Sequence, residues 1–264
     1  MIARRVSLCI SIHLVLITAA GRSAEPPQLQ VIKAEAAPEW NARFNGSEGW
    51  IGGDGVYSTR LDDDRVLFLF GDTLIGTVRD SRRAGATMVN NTVGFLPTKP
   101  VQASIRFVAG RTDSDEPAAV FRPSDGPGWF WPQGAVQLEG RLFVFLAQIE
   151  KSGDEGVFGF KQIGQALAVI QNPSADPAKW NSEQHPMPFV QFDGTHERVW
   201  GSALLVDDDC VYIYGIEERG KKLGSKRLMV ARSPPGKLAD FAAWRFRTRE
   251  GWSEKPEPET LASG

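Results

Sequence analysis

Two aspartates in the N-terminal part of the chain are placed where they could act as a catalytic pair. Asp54 stands among glycines, Asp72 follows Gly71, and an acidic turn centred on Asp63 separates them. A hairpin closed by this turn pairs residues whose numbers sum to about 126, twice 63, so Asp54 is predicted opposite Asp72. Opposed residues have Cβ atoms about 4.5–5.5 Å apart. Like charges this close raise one pKa, which provides a proton donor beside a base or nucleophile.

Structural roles for the same acids stay open at this point. Asp54 in Gly-Gly-Asp-Gly can form an Asx turn, and Asp72 can cap a loop. A third hairpin offers Glu217 as a further acid on the same face, and a solvated loop is its alternative, since a basic run follows at 219–222. The predicted catalytic residues are therefore Asp54, Asp72 and Glu217.

Aromatic and amide side chains near these acids suit a sugar ligand. Tryptophan recurs at the start of each hairpin, either as a platform for the C–H face of a sugar or as a core residue. Amides beside the acids can hydrogen-bond to sugar hydroxyls. The predicted substrate-binding residues are Trp50, Asn90, Asn91, Trp131, Gln133 and Trp200.

A repeated unit positions these residues. Three segments share a tryptophan, small residues and two strands around a polar turn, and two more candidate strands follow each hairpin. The hairpins pair 50–57 with 66–72, 131–136 with 142–146, and 200–205 with 211–215; the later strands are 91–96 and 104–108, 165–170 and 188–192, and 227–231 and 244–248.

A unit of four antiparallel strands that occurs three times along the chain predicts an all-β fold, a β-propeller of the five-bladed glycosidase-like type. A β-sandwich is the competing fold. About three to four blades are expected, and residues 251–253 resemble the approach to a further hairpin. The predicted domain is 25–264, incomplete at its C-terminal end.

The segment 1–24 has the pattern of a signal peptide, which predicts a secreted or periplasmic protein. Arg4 and Arg5 precede an apolar run over 6–16, and small residues continue through Ala24. An uncleaved N-terminal anchor is the alternative. Cleavage would leave Cys210 as the one cysteine, so no disulfide forms within the chain, and Cys210 is predicted to be a core residue. No membrane association is expected after cleavage.

Charge and composition exclude several function classes. The formal net charge is −2 without a basic stripe, so nucleic acid is not expected as a partner. No cysteine or histidine cluster has zinc spacing, and no cofactor is expected. The acidic turns 62–64 and 207–209 could hold a structural calcium ion, or they are solvated turns. The eight tryptophans and 27 glycines fit short strands that bind an oligosaccharide or polysaccharide. The protein is expected to be a monomer.

The runs 49–55 and 70–73 resemble a bacterial family of domains of unknown function. That family is similar to five-bladed β-propellers in which some members are endo-D-arabinanases and, more distantly, to arabinanases and xylosidases. The resemblance covers roughly residues 40 to 252, and the later units lack a second Gly-Asp pair. It implies a glycoside hydrolase that acts on arabinan or a related polysaccharide, with Asp54 and Asp72 at the acidic motif positions. A non-catalytic propeller that binds glycan or protein is the alternative.

Overall fold

The structure is a computed structural model that describes residues 30–100, 103–207, 209–220 and 226–256. The predicted signal peptide, 1–24, and Asp208 of the third acidic turn lie outside the described residues. The chain divides into Met1–Ala37 and Pro38–Gly264. In the first unit, residues 30–37 form no helix or strand, and the second unit is built from antiparallel β-strands.

The described elements are one short α-helix, three 3-10 helices and nineteen strands. None of these helices is long and apolar enough to cross a membrane. The elements are α1 (Pro38–Arg43), β1 (Glu48–Gly53), β2 (Tyr57–Arg60), β3 (Arg65–Phe70), β4 (Thr73–Arg79), β5 (Arg82–Val89), β6 (Thr92–Pro97), β7 (Arg106–Val108), β8 (Gly110–Arg111), β9 (Pro117–Ala118), β10 (Trp129–Leu138), β11 (Arg141–Lys151), β12 (Phe160–Ile170), the 3-10 helix Pro177–Lys179, β13 (Ser182–Pro186), β14 (Gln191–Phe192), β15 (His196–Asp207), β16 (Cys210–Arg219), β17 (Lys226–Ser233), the 3-10 helices Pro235–Lys237 and Phe241–Ala243, β18 (Arg245–Thr248) and β19 (Gly251–Ser253).

The first hairpin keeps its predicted register but is divided between two sheets. Tyr57 pairs with Leu69 in the sheet β2-β3-β6-β7, and Gly53 pairs with Thr73 in the sheet β1-β4-β5. Both pairs sum to 126, so the predicted register is confirmed. The prediction of one continuous pair of strands was wrong, because the ribbon passes from one sheet to the other at Asp54 and Asp72. Asp72 does not cap a loop, since β4 begins at Thr73 and forms a hairpin with β5.

The second and third repeats form the sheets β10-β11-β12-β13 and β14-β15-β16-β17-β18-β19. The predicted fourth strand at 188–192 was wrong. Strand β13 takes that place in the second sheet, while Gln191 and Phe192 pair with β15 in the third. Pro188 has no backbone N–H to give to a ladder. The segment 251–253 forms β19 on the third sheet.

Each hairpin begins on a strand with an irregularity beside its tryptophan. The register shifts between Trp50 and Gly52, between Pro132 and Ala135, and between Trp200 and Ala203. Bulges re-aim side chains and bend a strand. The repeat seen in the sequence is therefore also a repeat of backbone geometry.

Two of the three core clusters lie on the two sides of the second sheet, and the third lies around Trp50, Phe68 and Phe70. Leu142 and Val144 of β11 pack toward the sheet β2-β3-β6-β7, while Phe143 and Phe145 pack toward the third sheet. Alternate residues of a strand face opposite sides, so β11 is buried on both faces. Cys210 begins β16 only half-buried, which corrects its prediction as a core residue.

Candidate functional site

Asp54 and Asp72 are neighbours across the ribbon at the point where it changes sheets. The Asp54 N–H donates to the Asp72 carbonyl oxygen at 3.1 Å, and the Gly71 N–H donates to the Asp54 carbonyl oxygen at 2.8 Å. The Asp54 side chain lies over Gly71, where a Cβ would be 2.5 Å from its Oδ1. Glycine at position 71 thus leaves the space that the Asp54 carboxyl occupies.

The electrostatics of Asp54 favour its protonated form. Partial burial raises the pKa of Asp54 above its ordinary value of 3.8, and the charge of Asp72 raises it further. Backbone hydrogen bonds lower it and oppose these two effects only in part. Asp54 therefore keeps a proton to higher pH than an isolated aspartate does.

Asp72 is held by two donors. Its Oδ1 accepts a hydrogen bond from the Trp131 indole Nε1 at 2.8 Å and another from Asn90 Nδ2 at 3.3 Å. Neither donor can accept a proton from the acid. The Asp72 carboxylate is thus oriented by strand β10 and by the end of the β4-β5 hairpin.

A cavity of about 520 Å³ opens beside Asp54. Its volume lies in the range of small-ligand sites. Three of the sheets contribute to its wall, through β2, β10, β11, β12 and β15. Aromatic rings and polar groups alternate along the lining, which includes Asp54, Tyr57, Trp131, Gln133, Phe160 and Glu197.

Glu197 is the acid that sequence reasoning missed. It is exposed and lines the cavity with Asp54, whereas its neighbours His196 and Arg198 turn to the other face of β15. The available signal in the sequence was its charge, three positions before the repeated tryptophan Trp200. Glu197 pairs with Glu218 across the strands. Since neighbouring residues of a strand face opposite sides, Glu217 faces away from the cavity.

Glu217 lies inside the third sheet, apart from the cavity lining. Its carboxylate is 1% exposed and accepts from His196 Nε2 at 2.7 Å and from Arg198 Nη2 at 3.2 Å, with Arg219 Nε at 3.3 Å. Burial acts to raise the pKa of Glu217, but the hydrogen bonds from His196 and Arg198 and the charges of the two arginines more than offset it, so the pKa is lowered. This position differs both from a site beside Asp54 and from a solvated loop.

The three repeated tryptophans have different environments. Trp50 is 8% exposed and stacks on Phe107 at 4.1 Å between ring centroids, and Trp200 is fully buried with its indole N–H donating to the Phe189 carbonyl. Trp131 alone of the three reaches the cavity. The core alternative therefore describes Trp50 and Trp200.

The predicted amides divide in the same way. Asn91 is fully buried, and its Nδ2 donates to the carbonyls of Phe121 and Phe130, so it ties the segment at Phe121 to strand β10 instead of facing a ligand. Asn90 is half-buried and contacts Asp72. Gln133 lines the cavity while its Oε1 accepts from Gln165.

Two acids of the first acidic turn form ion pairs with arginines. Asp63 pairs with Arg65, and Asp64 lies 3.0 Å from Arg60. Among the residues that the structure describes, no three His, Cys, Asp or Glu side chains gather where they could hold a metal ion.

The fold and the sequence each have a known counterpart. A crystal structure described as a putative hydrolase from Bacteroides ovatus is similar at a TM-score of 0.63 and 17% identity, over 85% of this chain and 59% of that one. The chain thus spans about three fifths of that protein, and the likeness is one of fold. No curated protein matches the chain. Residues 38–264 match the family described as "Domain of unknown function (DUF5005)", and the chain belongs to this family.

Proposed function

We propose that the protein is a glycoside hydrolase that cleaves arabinan or a related polysaccharide through Asp54 and Asp72. The observation that carries the proposal is that the two aspartates neighbour each other on the ribbon, where Asp54 lines an aromatic-lined cavity and the charge of Asp72 helps to raise its pKa. Hydrolysis of a glycosidic bond ordinarily needs two such groups, one to protonate the leaving oxygen and one to act as nucleophile or base.

The environments of the two acids assign their roles. Asp54, whose pKa is raised, is the general acid. Asp72 is the nucleophile or base, oriented through Oδ1 by Trp131 and Asn90. Glu197 is a third acid that can contact substrate in the same cavity.

The remaining lining suits a sugar. Tyr57, Trp131 and Phe160 offer aromatic surface to C–H groups, while Gln133 and Gln162 offer amides to hydroxyls. Gln133 accepts from Gln165 at 2.7 Å, which orients its amide. Such a mixture of flat apolar surface and oriented polar groups is what a carbohydrate requires.

A propeller fold would explain why the cavity beside Asp54 is lined by strands of three sheets. Strands β2 and β15 both contact β10. Strands β2 and β10 are edge strands of their sheets, and β15 is next to the edge of the third sheet. A propeller brings the inner strands of its blades together around one axis. The cavity is lined from all three of these strands, so it would lie at that axis. Export through residues 1–24 would bring the enzyme to an extracellular or periplasmic polysaccharide.

Mutation of either acid tests the proposal. We expect Asp54→Asn and Asp72→Asn each to lower the release of reducing ends from arabinan by at least about 100-fold, the usual contribution of acid–base catalysis. Asp64→Asn is the matched control, since Asp64 lies on the exposed turn of the same hairpin, in a surface pair with Arg60. Circular dichroism shows whether each variant is folded. Full activity in either site variant would end the assignment.

A second candidate is a glycan-binding module without catalysis. It is favoured by the two hydrogen bonds at Asp72 Oδ1, which leave this oxygen less available for attack. Binding of arabino-oligosaccharides with no release of reducing ends from arabinan or xylan, by wild type and Asp54→Asn alike, would select this function.

A further inference from the structure

Three arginines line a depression that shares no lining residue with the cavity beside Asp54. It measures about 560 Å³ and lies between β7, the β8-β9 hairpin and the first 3-10 helix. The arginines are Arg106, Arg111 and Arg122, and Asp176 is the one acid among the described residues of the lining. The depression is therefore basic, although the whole chain has a formal net charge of −2.

Arg122 is held in place by two backbone carbonyls. Its Nε donates to the Ala119 carbonyl at 3.2 Å, and its Nη2 donates to the Arg111 carbonyl at 2.7 Å. A guanidinium has five N–H donors, and those on Nη1 have no hydrogen-bond partner in the part of the chain that the structure describes. Arg122 thus brings to the depression a positive charge of fixed orientation and donors that a ligand can use.

The other two arginines are also oriented, each in a surface ion pair. Arg106 Nη1 donates to Asp176 Oδ2 at 3.2 Å, and its guanidinium lies 5.1 Å from the centre of the Phe95 ring. Arg111 Nη1 donates to the Asp115 carbonyl at 2.8 Å, and its Nε lies 3.8 Å from Asp115 Oδ1. Exposed ion pairs contribute little, so an anionic ligand can compete with these acids for the guanidinium groups.

Part of the lining is apolar. Val108 and Val120 are half-buried there and pack against the hydrophobic core. Hydrogen bonds and charge interactions are stronger beside such a surface than in bulk water. A guanidinium also matches a planar carboxylate with two parallel hydrogen bonds. The combination suits a small organic carboxylate, and the volume lies in the range of small-ligand sites.

We propose that this arginine depression binds the carboxylate of an acidic sugar, either a free uronic acid or a uronic acid residue of a polysaccharide. The carboxylate contacts Arg122 and Arg111, and the C–H groups of the sugar ring lie on the two valines. The site uses neither Asp54 nor Asp72. It is therefore independent of the proposed hydrolysis, and either proposal can fail while the other stands.

Isothermal titration calorimetry with galacturonate at low salt tests the inference, with galactose as the neutral ligand. We expect galacturonate to bind the wild type and to bind more weakly as salt is added, since exposed charges are screened beyond about 10 Å at about 0.1 M salt. Arg122→Gln is expected to lower the affinity at least about tenfold, the loss of a hydrogen bond to a charged group. Arg111→Gln gives a loss of the same kind and guards against a local rearrangement in the first variant.

Arg249→Gln is the matched control, since it removes the same charge from an exposed position between β18 and β19 that does not line the depression. Its affinity for galacturonate should equal that of the wild type. Trigalacturonate separates the two sources of the carboxylate: tighter binding than galacturonate assigns the site to a polysaccharide, and equal binding assigns it to a single acidic sugar.

Several results would overturn the arginine depression as a site for an acidic sugar. They are a wild type that binds neither galacturonate nor trigalacturonate, equal binding of galactose, and an equal loss of affinity in Arg249→Gln. Inorganic phosphate that binds as tightly as galacturonate would also overturn it, because the sugar ring would then add nothing. Hydrolysis of arabinan, which is neutral, is measured separately and does not depend on any of these results.

Discussion

Replacing Glu217 by glutamine is expected to destabilise the protein strongly, because a buried arginine loses its counter-charge. The Glu217 side chain is 1% exposed and lies 3.2 Å from Arg198 Nη2, on a side chain that is 7% exposed. Removing one partner of a buried ion pair costs about 3–5 kcal/mol. Arg198 cannot escape this cost by releasing a proton, since guanidinium stays charged in proteins. At about 2–4 °C per kcal/mol for a domain of this size, Tm falls by roughly 6–20 °C.

Thermal unfolding followed by circular dichroism measures this effect. Glu254→Gln is the control: Glu254 is 81% exposed and pairs with Arg245 at 3.3 Å, and such surface pairs contribute less than about 1 kcal/mol. The reasoning is refuted if the Glu217→Gln variant has the same Tm as the wild type. If it also loses hydrolysis, Glu217 acts on substrate and does not serve to hold the third sheet.

The pH dependence of the Tm difference follows from the lowered pKa of Glu217. Burial acts to raise the pKa of Glu217, but the hydrogen bonds from His196 and Arg198 and the charges of Arg198 and Arg219 together outweigh it and hold the folded pKa below the ordinary 4.5. The stabilisation from the carboxylate is therefore complete above the ordinary pKa and is lost as pH falls through the folded pKa. The Tm gap between wild type and Glu217→Gln should narrow in acid; a gap that widens below pH 4.5 would contradict this sign.

Two further changes probe the packing of the sheets and the orientation of Asp72. A Cβ at Gly201, where φ is +81, would overlap the Phe145 ring, whereas Gly140, where φ is +75, has open space around it. Gly201→Ala should therefore cost about 2–4 kcal/mol in urea unfolding and Gly140→Ala only about 1 kcal/mol; equal costs would contradict the clash. Trp131→Phe removes the 2.8 Å hydrogen bond to Asp72. Such bonds to charged groups contribute about 1.5–3 kcal/mol, so kcat/KM on arabinan should fall roughly 10–150-fold, and an unchanged value would refute the role of the indole.

The register of the first hairpin could be read from the sequence because a short acidic turn fixes it. Once Asp63 is the centre, Tyr57 must face Leu69, and the pairing of Asp54 with Asp72 follows. The change of sheet at that point could not be read, since it depends on where the second sheet packs against the ribbon. The β4-β5 hairpin was missed because its strands are mostly polar or half-buried and lack a strict alternation.

Glu197 and Glu217 show that the direction of a side chain is harder to predict than the position of its strand. Glu197 and Glu217 lie on paired strands of the same hairpin, and both are acidic. A shift of one residue moves a side chain to the opposite face of a sheet. The register changes by two residues between Trp200 and Ala203, which keeps this parity, and Glu217 follows Val211 and Ile213 on the buried face of β16. Only the packing of His196 and Arg198 around Glu217 leaves Glu197 facing the cavity.

The central claim is that Asp72 and partial burial together make Asp54 the proton-holding acid, and a carboxyl titration measures this directly. Carbon-13 NMR of the aspartate carboxyls should give Asp54 a pKa above the ordinary 3.8, and Asp72→Asn should lower it part of the way back, because burial makes the larger contribution. An Asp54 that titrates at the ordinary value, or one that does not respond to Asp72→Asn, would contradict the account.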